Sequence, residues 1–369
     1  MLIGVPKEIK DHEFRVGVTP AGVHALVTAG HEVRVQADAG AAIGLSDAHY
    51  AAAGARIVPD AETVYACPLI VKVKEPLAAE LAWLHEDQVL FCYFHLAASL
   101  ELTQALLQKK IIAVAYETVS DATGGLPLLI PMSEVAGRIA IQVGANALHM
   151  ANGGAGVLLG GVPGVAPGKV LVIGAGTVGT QAARMALGLG ADVTLMDINL
   201  QRLRYLDDVF GPRLKTRYSE AHAIAELIRD ADLVVSSISL PGKRAPKLVT
   251  REMVRSMKRG AVQVDVAIDQ GGSAETSRPT THTDPTYIEE GVVHYCVTNM
   301  PAACARSATD ALTHATLAFL LKLAQDPLMT LRDHPGLRNG LQLYRGQVTH
   351  AGLAEDLGLP YTSAESLLA

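Results

Sequence analysis

Residues 169–190 read KVLVIGAGTVGTQAARMALGLG, and the fold turns on this stretch. Val170–Ile173 is an apolar run of four residues, GAGTVG follows at once, and QAARMALGLG is a helix former that stops on glycine. Strand, glycine turn and helix in that order make the first βα unit of a dinucleotide-binding domain; without the flanking elements the same glycines would read as an ordinary tight turn. Gly174 permits the turn, Gly176 lets backbone N–H groups approach a pyrophosphate, and Gly179 allows close packing of helix on strand. The positive end of the helix then faces the phosphates. Asp197 closes the next apolar run, VTLMD, 18 residues after Gly179. There a carboxylate can accept both ribose hydroxyls and repel a 2′-phosphate, which favours NAD, while Arg202 nearby leaves some room for NADP.

Outward from this unit the alternation continues. Val193–Met196, Leu233–Ser236, Ala261–Val266 and Val292–Tyr295 are further strand candidates on the carboxyl-terminal side. Before it, Leu2–Val5, Glu32–Gln36, Leu69–Val73, Val89–Tyr93 and Ile111–Ala115 alternate with helical stretches such as Thr19–Ala29 but carry no glycine-rich phosphate loop. That pattern predicts βα units on mostly parallel sheets. Ser133, after Pro131, reads as the cap of a long helix over Glu134–Met150, AGVLLGGVPGVAPGK (155–169) as a loop, and about Ala308–Ala324 as a second long helix. The expected class is α/β, with two Rossmann-like doubly wound domains joined by long helices. The first is discontinuous, residues 1–128 and 305–369, and residues 129–304 form the nucleotide domain.

Composition narrows the function. At 369 residues the chain exceeds one ordinary domain. A formal charge of −6 without a basic run argues against nucleic acid as a partner. Cys67, Cys92, Cys296 and Cys304 lie too far apart for a zinc motif and read as buried free thiols, so no metal is expected. The amino terminus meets a charge within seven residues, unlike a secretory signal. Ala311–Ala324 includes His314 and Lys322 and reads as a packed helix, not a membrane span. These features point to a cytoplasmic enzyme.

Several polar residues follow apolar runs, where open α/β sheets place ligand-binding groups. Arg15 lies in the turn KDHEFRVGVTP and has a planar fork suited to a carboxylate, though a lone arginine there is ordinarily a solvated one. Lys72 and Lys74 share one face of a regular strand, and either could bring a cation to a cleft or simply snorkel. His95 follows VLFCYF and could hold or give a proton near neutral pH or serve as a structural histidine. Asp269 follows Ala261–Val266, where a loop carboxylate bound to backbone amides is the plainer alternative.

IGVPKEIKDHEFRVGVTP (3–20), VKVKEP (71–76), FCYFHLAAS (91–99), GVLLGGVPGV (156–165), VLVIGAGTVG (170–179), VDVAIDQGG (264–272), ETSRPTTHTDPTY (275–287) and VVHYCVTNMP (292–301) together resemble the alanine dehydrogenase family, which also includes the NAD domain of proton-translocating transhydrogenase. The resemblance implies reversible NAD-dependent oxidative deamination of L-alanine to pyruvate and ammonia in a homohexamer. It assigns Arg15 and Lys74 to the substrate, choosing Lys74 over Lys72, and His95 and Asp269 to catalysis, facing one another across the cleft. For the cofactor it implies Ser133, Gly174, Gly176, Thr177, Val178, Gly179, Asp197, Arg202 and Ser219. Ile238, Ser239, Val266, Ala267, Ile268, Arg278, Val297, Thr298, Asn299 and Met300 complete that set. Met132 would flank the cleft, and Tyr93 and Leu129 would bound the methyl pocket. The family pattern is altered at PAACARSAT (301–309), before GVLLGG, and at Ser273. Two other functions fit the same cofactor turn: the NAD(H)-binding subunit of a transhydrogenase, and a non-catalytic NAD-binding protein. NADH formation from alanine separates both from a dehydrogenase.

Overall fold

The computed structural model describes residues 1–238 and 245–369. Its fifteen strands are, in chain order, β1 (Leu2–Val5), β2 (Glu32–Gln36), β3 (Arg56–Val58), β4 (Leu69–Val71), β5 (Val89–Cys92), β6 (Ile112–Ala115), β7 (Lys169–Ile173), β8 (Asp192–Asp197), β9 (Leu214–Tyr218), β10 (Leu233–Ser236), β11 (Val262–Asp265), β12 (Thr286–Glu289), β13 (Val292–Tyr295), β14 (Leu341–Tyr344) and β15 (Gln347–Val348). They belong to two compact units, Met1–Met132 with Cys304–Ala369, and Ser133–Ala303.

The first unit holds an eight-stranded sheet in the order β15-β14-β6-β5-β4-β1-β2-β3. Pairing is parallel from β6 to β3, whereas β14 and β15, supplied by the carboxyl-terminal segment, add antiparallel at one edge. The chain runs outward from β1 to β3 and then returns to place β4 on the other side of β1. That reversal is a topological switch point, and it puts the segments after β1, β4 and β5 at one sheet end. The strands β4, β5 and β6 are buried along their whole length, as expected for a parallel sheet covered on both faces.

The second unit repeats the scheme with seven strands in the order β12-β13-β11-β10-β7-β8-β9, parallel except for β12. Because side chains alternate along a strand, Val170 and Val172 of β7 join one apolar core and Leu171 and Ile173 join another. Helices therefore pack on both faces, and the switch point falls between β7 and β10. Both units are thus α/β and doubly wound.

Two local expectations are corrected. The long helix spans Ile130–Ala147, so Ser133 lies inside its first turn and does not cap it. Pro131 is tolerated there because a first-turn N–H has no helical partner to lose. Cys304 is exposed just before the Ala305–Gln325 helix, whereas Cys67, Cys92 and Cys296 are buried. Among the described residues, no helix is long and apolar enough to cross a membrane.

Candidate active site and dinucleotide cradle

In the first unit, Arg15, Lys74 and His95 come from the segments after β1, β4 and β5, and the charges of Lys74 and Arg15 both act on the His95 imidazole, so the three lie in one cluster. Arg15 is 2% exposed, so the solvated reading does not hold for it. Its Nε donates to Glu13 Oε1 at 2.7 Å, its Nη2 pairs with Glu13 Oε2, and its Nη1 lies 3.0 Å from Met132 Sδ. Burial opposes the guanidinium's charge, and the hydrogen bonds and charge of Glu13 more than reverse that effect.

The two lysines have different surroundings. Lys72 Nζ is 2.7 Å from Glu80 Oε1 and 3.2 Å from Glu8 Oε2, and Glu80 also accepts from the Tyr65 hydroxyl. Burial works against its charge, but Glu8 and Glu80 hold Lys72 above the ordinary lysine range. This is a closed internal network. Among the described residues, Lys74 makes only a loose pair with Glu75, at 3.7 Å. Pairing of the two strands persists past their formal ends through Lys72 N–H to Phe91 and Tyr93 N–H to Val73, so the lysine segment stays aligned with the His95 segment. Glu8 Oε1 further accepts from the backbone N–H of Val73 at 2.7 Å and of Lys74 at 3.3 Å.

His95 has left-handed backbone, φ +50°, a conformation that costs a non-glycine residue roughly 1–3 kcal/mol. Its N–H donates to Glu117 Oε1 at 2.6 Å, and the Phe94 N–H reaches the same carboxylate. The ring stacks on Tyr93 at 6.0 Å between centroids and 6° between planes. Although the His95 side chain keeps contact with solvent, desolvation by the protein around it, then the charges of Lys74, Lys10 and Arg15, hold its imidazole well below the ordinary range. The ring is therefore neutral at neutral pH, and the same surroundings make it a weaker base than a free imidazole. Tyr93 donates its hydroxyl to the Leu128 carbonyl, next to Leu129.

In the second unit the glycine turn shows the strain its sequence implies. Gly174 has φ +104°, and a Cβ at Gly179 would sit 1.8 Å from the Gly174 carbonyl oxygen. A Cβ at Gly176 would meet no heavy atom within 4 Å, so the backbone there can be approached closely. The Thr177–Gly188 helix begins at Gly176 with no side-chain cap, leaving the N–H groups of Thr177, Val178 and Gly179 aimed out of its positive end. Asp197 Oδ2 accepts from Ala175 N–H at 2.6 Å and Oδ1 from Asn199 N–H at 2.8 Å, which ties the carboxylate to the turn. Ser219 donates its N–H to the Asp197 carbonyl. Arg202 is committed to the same turn: Nε donates to the Ala175 carbonyl at 2.8 Å and Nη2 to Thr180 Oγ1 at 2.9 Å. These residues fit a dinucleotide.

Several of the remaining expected cofactor residues follow strands of the second sheet. Ile238 packs near Gly174, and Ser239 lies outside the described residues. Val266, Ala267, Ile268 and Asp269 form a 3₁₀ turn directly after β11. Arg278 stacks over the Tyr287 ring at 3.8 Å. Val297, Thr298, Asn299 and Met300 follow β13; Asn299 has φ +64°, its carbonyl meets His282 Nε2, and Met300 is buried in the apolar core.

Sequence reasoning missed five buried or half-buried carboxylates at or beneath these sites: Glu8, Glu13, Glu80, Glu117 and Asp265. Asp265 is fully buried and accepts from the N–H groups of Ala267, Ser273 and Ala274 and from the Ser277 hydroxyl, so it organises the loop that carries Asp269. The available signal was an acid within a few residues of an apolar strand's end.

Residues 4–136 match the family described as Alanine dehydrogenase/PNT, N-terminal domain, and residues 140–351 its C-terminal domain. An alanine dehydrogenase of Halomonas elongata is 54% identical over 370 residues, spanning 100% of both chains. A solved L-alanine dehydrogenase superposes with a TM-score of 0.94 at 49% identity, covering 97% of this chain and 99% of that one. The transhydrogenase from Sinorhizobium meliloti superposes with a TM-score of 0.80 at 26% identity, covering 95% of this chain and 99% of that one.

Proposed function

The chain belongs to the alanine dehydrogenase/PNT family, and from that premise we propose that it is an NAD-dependent L-alanine dehydrogenase, catalysing reversible oxidative deamination to pyruvate and ammonia. The observation that carries this reading is the cluster of Arg15, Lys74 and His95 at the switch point of the first sheet. An NAD-binding protein that never handled an amino acid would have no need of it.

NAD, when bound, accepts the hydride from the substrate Cα. The nucleotide domain, taken as residues 129–304, would hold the pyrophosphate at Gly174–Gly179 and the ribose hydroxyls at Asp197. Asp197 repels a 2′-phosphate, and the commitment of Arg202 to the turn supports the same preference for NAD. Residues 1–128 and 305–369 would form the substrate domain. There the Arg15 guanidinium, held in place by Glu13, and the Lys74 ammonium bind the substrate carboxylate by charge and orient the Cα hydrogen. Loss of the hydride leaves iminopyruvate. His95, kept neutral, takes a proton from the water that attacks the imine carbon, and Asp269 stabilises positive charge while the carbinolamine expels ammonia. Tyr93 and Leu129 bound the methyl group.

A homo-oligomeric assembly and a cytoplasmic setting belong to the same proposal. The runner-up is a transhydrogenase NAD(H) subunit, supported by the 26% identical structure. The isolated protein, given NAD and a panel of small L-amino acids, should form NADH with alanine and slowly or not at all with bulkier ones. NADH binding without turnover of any amino acid would overturn the dehydrogenase reading.

A further inference from the structure

Pairing between β5 and β6 ends at Cys92 opposite Ala115. Beyond that point the chain carrying His95 has left the ladder, yet its N–H groups still need acceptors. Glu117, two residues past the end of β6, supplies them: Oε1 lies 2.6 Å from His95 N and 3.1 Å from Phe94 N, and Oε2 lies 3.3 Å from Phe94 N. A side-chain carboxyl group thus stands in for the next carbonyls of the strand. The residue it grips most tightly is the one with φ +50°. A non-glycine residue keeps such backbone only where its surroundings impose it.

We propose that Glu117 is a positioning residue for the reaction: it fixes His95 in left-handed backbone, and so sets the ring on Tyr93 and toward the substrate-binding cations. The inference rests on the proposed role of His95. Glu117 touches backbone, not the imidazole, so it acts through His95 and takes no proton itself.

The test is a cycle of Glu117→Ala, His95→Asn and the double variant, with Glu117→Gln as the conservative replacement that keeps one acceptor oxygen. Each is assayed for kcat and KM with alanine and NAD, alongside NADH titration and thermal unfolding. Misplacement of a reacting group can cost about 100-fold, so Glu117→Ala should lower kcat by about 10- to 100-fold with KM for alanine little changed. Glu117→Gln should recover most of that loss. In the His95→Asn background, Glu117→Ala should change kcat by less than about twofold, because residues acting through one another are not additive. A merely structural carboxylate would cost the same factor in both backgrounds, and that result overturns the proposal. So does wild-type kcat in Glu117→Ala, or in Glu117→Gln and Glu117→Ala alike, while His95→Asn is impaired. Near-wild-type turnover of His95→Asn would instead remove the reading of His95 on which the proposal stands.

Discussion

The two sheet ends solve the same problem, presenting polar groups at a switch point, by different means. The second unit does it with backbone: a glycine turn, an uncapped helix terminus and one carboxylate anchored to the turn. The first unit does it with side chains, setting Arg15, Lys74 and His95 in the segments that follow three strands and bracing them with Glu13, Glu8 and Glu117. A backbone site depends on local conformation and tolerates little added volume. A side-chain site depends on burial and charge balance, so its failures should be electrostatic.

That contrast breaks hardest at the chemistry. Removing the general base typically costs about 10²–10⁴ in rate, so His95→Ala should lose that much turnover, and Asp269→Asn a comparable share, while both keep NADH affinity at the glycine turn. Turnover with alanine and NADH fluorescence titration measure the two. Wild-type rates in His95→Ala would end the mechanism.

Lys72→Met probes the bracing network beneath the site. Removing one partner of a buried ion pair leaves uncompensated charge, here Glu8 and Glu80, and should cost about 3–5 kcal/mol of stability in denaturant unfolding. An unchanged midpoint would show that the network has no net stabilising part.

On the backbone side, Asp197→Ala should narrow the preference for NAD over NADP by about tenfold, roughly 1.4 kcal/mol, with turnover on NAD largely retained. If the native protein uses NADP as well as NAD, Asp197 does not select the cofactor.

The smallest effect is in pH. His95 is held below its ordinary 6.5 by desolvation and by Lys74, Lys10 and Arg15, so the neutral ring persists through neutral pH and is lost only as pH falls through the depressed value. The unfolded chain takes the proton first, near 6.5, so this group's contribution to stability is present above that value and fades as pH falls below it. Lys74→Met removes the charge that depresses His95 most after desolvation and should move the acid limb of kcat/KM upward. An unmoved limb would assign it to another group.

The conformation of the glycine turn was legible because it is local: Gly174 needs its positive φ and Gly179 has no room for a Cβ, both within one strand–turn–helix run. The buried central strands were legible for a similar reason, being continuous apolar runs. Edge strands such as β9, LKTRY, and β12, TYIE, were not, since solvent-facing edges carry polar residues and lose the pattern. The amino-acid sequence by itself determined the glycine turn, the α/β class and, through its motifs, the family. Only the tertiary structure decided that Lys72 is sealed in an ion network while Lys74 is not, that Arg15 is buried against Glu13, and that Glu117 holds the backbone of His95. Those pairings join residues brought together by strand order, and a carboxylate's partner depends on where the sheet places it, not on its neighbours in the chain.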